Sequence, residues 1–283
     1  MSADPWLPTR ALVGGMLVVW LARRPLVRLL AAVGFRRRNF EGREAVTGVG
    51  ILFALLGAAA AAFLPAGAAA GPWLLTALGF GALGLFDDHC GSREVGGLRG
   101  HLSALRRGKV TTGSVKLLGG TALAIWAAAW GALPRGDGWP VIALDAALIA
   151  GAGNALNLTD TRPLRALKVW TILAIPLAAV AAGRPGFGGG AAAVLSWLLG
   201  GLMPYAALEA RREAMLGDAG ANALGAMLGL AATLVLPLWL RGGALGLILL
   251  FHGWTETRSL SRWIETHPWA RRLDAWGWRN GGR

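Results

Sequence analysis

Apolar residues in this chain come in long runs rather than as a stripe within a polar background. The runs lie near 11–30, 48–64, 71–86, 115–133, 139–156, 168–182, 187–208, 220–240 and 241–254. A helix that crosses a bilayer needs about 20 mostly apolar residues. The pattern therefore predicts an all-α, polytopic membrane bundle of about nine transmembrane helices, within a range of eight to ten. Residues 1–254 form the transmembrane domain, and 255–283 form an amphipathic tail. In that tail Trp269, Leu273 and Trp276 share one helical face while Arg271, Arg272 and Asp274 point elsewhere, the pattern of a helix lying in the lipid interface. Gly225 and Gly229 are spaced to let two helices approach closely in lipid, or they coincide by chance in a chain with 43 glycines.

Charge gives these helices a direction. With the amino terminus outside, the connections 23–47, 87–116, 157–168 and 209–219 and the tail face the cytoplasm. Only Arg10, Arg135, Arg184 and Arg241 of the 28 Lys and Arg then fall outside, as the positive-inside rule requires. The first run has no basic segment before it and no small-residue cleavage site after it, so it reads as an uncleaved anchor. Acidic residues follow the same asymmetry: of 15, only Asp4, Asp137 and Asp145 fall outside or in the outer half. Net +13 is thus mostly topology, and the informative feature is the set of acids that share the basic face.

Composition narrows the class further. The chain is 55% hydrophobic and 15% charged, against roughly 25% charged in soluble domains. That excludes a soluble globule and, equally, a disordered chain. Cys90 is the one cysteine, so no disulfide framework exists. Four dispersed histidines offer no zinc spacing. No P-loop, nucleophile elbow or nucleic-acid module is present.

Candidate chemistry lies at the cytoplasmic ends of the runs. Asp87 and Asp88 end the third run; adjacent carboxylates at a membrane border repel one another unless a cation joins them, or cytosol solvates them. Asn154 and Asn157 share a helix face, and Asp160 continues it with some drift. Arg162, Arg165 and Lys168 surround Pro163, which favours the first position of a new helix. A helix start with three cations suits phosphate, although a stop signal for topology reads the same way. Asp218 stands where another helix begins, between Gly217 and Gly220, as a cap or as a metal ligand. Lys116 either snorkels to the surface or neutralises a pyrophosphate. Asp87, Asp88, Asp160 and Asp218 together, with Lys and Arg beside them, fit Mg²⁺ and phosphoryl transfer, in which positioning and charge neutralisation dominate.

In this order and on this face, these elements resemble the polyprenyl-phosphate N-acetylhexosamine-1-phosphate transferases, the superfamily of the phospho-N-acetylmuramoyl-pentapeptide transferases. The resemblance runs from about residue 36 to 230. It rests on Arg38-Asn39-Phe40-Glu41-Gly42, Val46-Thr47-Gly48-Val49-Gly50, Phe86-Asp87-Asp88, the segment Asn154 to Asp160, and Gly217-Asp218-Ala219-Gly220. It implies an enzyme of cell-envelope polymer (peptidoglycan-type) precursor synthesis in a bacterial plasma membrane, with homodimeric assembly. In that family a polyprenyl phosphate attacks a UDP-sugar and UMP leaves. By resemblance Asp218 binds Mg²⁺, and Asp87 and Asp88 position or deprotonate the lipid phosphate. Asn154, Asn157 and Asp160 hold the UDP-sugar, and Lys116 its diphosphate. The chain departs from the family where Pro163 replaces a second Asp, and where His252 stands in place of consecutive histidines. A catalytically inactive relative that binds lipid phosphate or nucleotide sugar is the alternative. A transporter fits less well, because its site would lie near the midplane.

Overall fold

A computed structural model describes residues 4–64, 69–91, 97–133, 136–184 and 187–278. Arg93, Arg135, Arg279 and Arg283, counted above among the cations, lie outside the described residues. Each predicted run becomes a helix: α1 (Leu7–Ala32), α2 (Ile51–Ala60), α3 (Ala70–Cys90), α5 (Thr112–Ala132), α6 (Trp139–Thr159), α7 (Arg165–Ala182), α8 (Phe187–Ala210), α9 (Gly217–Val235) and α10 (Leu238–Thr257). Three short helices complete the set: α4 (Gly97–Arg106), α11 (Leu260–Thr266) and α12 (Pro268–Ala275). Six helices, α3 and α5 to α9, are long and apolar enough to cross a membrane by length and composition.

Two elements differ from expectation. The run 48–64 yields only the ten residues of α2 and a 3₁₀ turn, Ala61–Phe63, too short to cross a bilayer alone. Its end lies inside the bundle. The indole N–H groups of Trp73 and Trp197 donate to the Gly57 and Leu56 carbonyls at 2.9 and 2.8 Å. A helix end buried in an apolar bundle needs partners of this kind.

The second departure is a β-hairpin in the otherwise helical chain. β1 (Arg36–Arg38) pairs antiparallel with β2 (Glu44–Val46). Asn39 closes its tip, its Oδ1 accepting the N–H groups of Glu41 and Arg43 at 2.9 and 3.0 Å. The hairpin docks on the connection into α9, where the Met215 N–H donates to the Val46 carbonyl at 2.8 Å.

α9 is the axis of the molecule. Nearly every residue from Gly217 to Val235 is buried, as expected of a helix apolar all round. Gly225 and Gly229 face the α6 backbone: an added Cβ would overlap the Ala152 carbonyl at one and press on Ile149 at the other. The small-residue pair is therefore a packing seam. The same closeness recurs at the end of α9 that carries Asp218, where a Cβ on Gly84 would overlap the Asp218 backbone.

Candidate active site

Asp88 ties α3 to α9. It is buried, and its carboxylate accepts the N–H groups of Asp218 and Ala219 at 3.1 and 3.0 Å and the Thr47 hydroxyl at 3.2 Å. Free N–H groups at a helix start require such an acceptor, and a carboxylate also suits the helix dipole. Here the cap comes from another helix, 130 residues earlier in the chain. Gly217 permits it: φ is +68°, and a Cβ there would collide with the Asp88 carboxylate. Asp88 is a positioning group, and it fixes where Asp218 points.

Asp87, one residue earlier, faces the other way. Its Oδ2 lies 3.2 Å from Lys116 Nζ, and the same ammonium contacts Asp218 Oδ2. Asn157 Nδ2 donates to Asp218 Oδ2 at 3.3 Å, and Asn222 Nδ2 to the Asp218 carbonyl at 2.6 Å. Four helices (α3, α5, α6 and α9) thus bring two carboxylates, an amide and an ammonium to one point. Lys116 is held there by a strong local fold: Thr111 and Ser114 form a reciprocal capping box that starts α5. The three charged side chains are about one-fifth to one-quarter exposed, so the cluster is open to a ligand. The two carboxylate oxygens converge on the Lys116 ammonium; Mg²⁺ typically takes one or two carboxylates and leaves its other positions to phosphate and water. Asp87 and Asp218 would hold it.

The other predicted residues go elsewhere. Asn154 donates through Nδ2 to His252 Nε2 at 2.7 Å, while His252 Nδ1 lies 2.8 Å from the Ile248 carbonyl; the imidazole proton therefore sits on Nδ1. Asn157 alone of the two amides touches the acidic cluster. Asp160 lies at the turn after α6 and accepts the Gly217 N–H. Burial, and next the nearby Asp218 and Asp88 carboxylates, push its pKa up to about 8. A divalent cation among these groups would reverse that repulsion.

Arg165 and Lys168 bind the tail. Arg165 is 5% exposed and pairs with both oxygens of Asp274 at 2.7 and 2.8 Å, with Nη1 donating to Thr161 and Ser261. Lys168 spends its three protons on the carbonyls of Leu273, Asp274 and Trp276, the cation-at-C-terminus arrangement that a helix end favours. The expectation that this pair would line a phosphate pocket is corrected accordingly: the tail occupies their donors. Arg162 pairs with Glu265 at 3.1 Å and lies over the Phe40 ring at 4.6 Å.

A cavity of about 450 Å³ opens between the hairpin and the α6–α7 turn, lined by Arg38, Phe40, Asp160, Arg162, Glu209 and Arg212 among others. Glu209 escaped the sequence reading, although a lone acid in the last turn of an apolar helix was visible. It is 4% exposed; it accepts the N–H groups of Leu164 and Leu216, while Oε2 has no partner among the described residues. At the opposite end of the bundle Asp145, fully buried, pairs with Arg241 at 3.0 Å. That pairing joins the lone acid within a run to one of the four cations that the charge pattern assigns to the outer side. Compared with known proteins, the chain matches no family model and no curated sequence.

Proposed function

We propose that this protein is a membrane glycosyl-1-phosphate transferase, moving a sugar-1-phosphate from a UDP-sugar to a polyprenyl phosphate. In this reading the eight long helices, together with the shorter segment 48–64, cross a bacterial plasma membrane, the amino terminus is outside, and the active site opens to the cytoplasm. The observation that carries it is the convergence of Asp87, Asp218 and Asn157 on Lys116 at one end of the bundle. Together with the resemblance of the surrounding motifs, this favours diphosphate chemistry beside a lipid surface.

A non-bridging oxygen of the lipid phosphate forms a bond to the β-phosphorus of the UDP-sugar. The bond from that phosphorus to the oxygen bridging to the α-phosphorus breaks, and UMP leaves. A phosphate monoester has a second pKa near 6, so the attacking oxygen needs little help from a base. Lys116 neutralises charge on the diphosphate, Asn157 orients Asp218, and Asp88 fixes the start of α9. Of the adjacent pair, Asp87 is the carboxylate that meets the substrate. Mg²⁺ held by Asp87 and Asp218 would supply charge neutralisation at the phosphoryl oxygens.

Purified protein with Mg²⁺ and polyprenyl phosphate is expected to release UMP from one of a panel of UDP-sugars, and Asp218→Asn to abolish that release. No release across the panel overturns the proposal. One observation favours a second reading, an inactive relative that binds the same ligands: Arg165 and Lys168 already hold the tail. Complementation in cells by an Asp87→Asn, Asp88→Asn double variant would support that reading.

A further inference from the structure

The tail leaves one apolar face largely exposed. α10 ends at Thr257 and α11 begins at Leu260, so the tail starts at the level where α10 stops. α10 itself exposes Leu247, Leu249 and Leu250, an outward apolar surface of the kind lipid covers. A chain of rings, Trp254 to Trp263 at 6.2 Å and Trp263 to Trp269 at 5.9 Å, leads from the end of α10 to α12.

α12 has two faces. On one, Ala270 is buried and Asp274 is locked to Arg165, while Lys168 grips the helix end. Arg165 and Lys168 begin α7, whose following residues are membrane-length and apolar, so the clasp fixes α12 at the border of the bundle. On the other face Trp269 and Leu273, spaced i and i+4, are 59% and 63% exposed, and Trp276, just past the end of the helix, is 75% exposed. Arg271 and Arg272, also exposed, lie between the two faces.

We infer that α12 is an interfacial helix that lays Trp269, Leu273 and Trp276 into an anionic leaflet of the protein's own membrane, with Arg271 and Arg272 at the headgroups. Apolar burial plus attraction to anionic lipid drives such binding, and aromatic rings favour that depth. The clasp on Arg165 and Lys168 makes the leaflet a support for the turn that carries Asp160. The inference stands independently of the transferase reading.

The test attaches an environment-sensitive dye to Leu273→Cys in a Cys90→Ser background of the full chain, reconstituted in vesicles of phosphatidylcholine with phosphatidylglycerol. A second preparation carries the dye at Gly42→Cys, on the hairpin tip. Headgroup-depth nitroxide lipids are expected to quench the dye at 273 several-fold more strongly than the dye at 42, and more weakly when phosphatidylglycerol is omitted. Equal quenching at both positions by an aqueous quencher overturns the inference. So does a blue shift that disappears at one protein per vesicle, which assigns the face to a second copy. Lipid quenching indifferent to phosphatidylglycerol overturns the anionic choice of leaflet.

Discussion

Asp87 and Asp88 are adjacent, and because successive helical residues project about 100° apart, they serve different ends. Asp88 caps α9 and Asp87 joins Lys116. The pairing of two acids was legible in the sequence. Their division of labour was not, because the N–H groups that claim Asp88 come 130 residues later. Replacing Asp88 by Ala strands the buried Ala219 N–H, the half-buried Asp218 N–H and the buried Thr47 hydroxyl, and a buried donor without a partner costs about 1–3 kcal/mol. Asp88→Ala is therefore expected to lower the thermal unfolding midpoint markedly, whereas Asp87→Asn leaves it close to wild type. Differential scanning fluorimetry of the two variants in detergent checks this; equal midpoints would refute the capping role. Arg165, Lys168 and Glu209 show the limit of local reading from the other side. The first two are basic residues at a helix start and fit anion binding by every local rule, but a distant carboxylate and a helix end take their donors. Glu209 is visible only as an acid in an apolar run.

At the scale of elements, long apolar runs were sufficient to find the helices, because a chain that must bury its backbone in lipid has few alternatives to helix. The same reading overestimated α2, since an apolar run fits equally well a span or a short helix ending inside a bundle. It missed the hairpin altogether: Arg36, Arg37 and Arg38 carry no alternating apolar signal, and the strand pairing is held by Asn39 and the α9 connection. The clasp between the tail and α7 is the most consequential of the elements unseen in sequence. Arg165 and Asp274 are both nearly buried, with side chains 6% and 10% exposed. Removing one partner of such a pair costs roughly 3–5 kcal/mol, while replacing both by apolar groups costs far less. Asp274→Leu alone is expected to destabilise strongly and Arg165→Met with Asp274→Leu to recover much of the loss, a non-additivity that a thermal double-mutant cycle measures. The α6–α9 seam gives a parallel expectation. Gly225→Leu drives a side chain into the Ala152 carbonyl and lowers stability, whereas Gly246→Ala, with open space around it, leaves it unchanged.

For the whole molecule, the asymmetry of charge along the chain proposed a sidedness before any contact was known. It also placed the acids on the basic side, and the structure brings three of the four singled-out carboxylates into the Lys116 and Asp88 networks at one end of the bundle. Cys90 makes that sidedness measurable, since it is the one cysteine and is exposed at the end of α3. A membrane-impermeant maleimide should label it in inverted membrane vesicles and leave it untouched in intact cells; labelling from outside would reverse the topology. The central claim is that Asp87, Lys116 and Asp218 form a phosphoryl-transfer centre that Asp88 only supports. The most direct measurement is UMP release by Asp87→Asn beside wild type, at saturating Mg²⁺ and with the unfolding midpoint recorded for both. Loss of about 100-fold or more in turnover, the scale of removing one electrostatic contributor, with an unchanged midpoint is the predicted result. Wild-type turnover in Asp87→Asn would contradict the account.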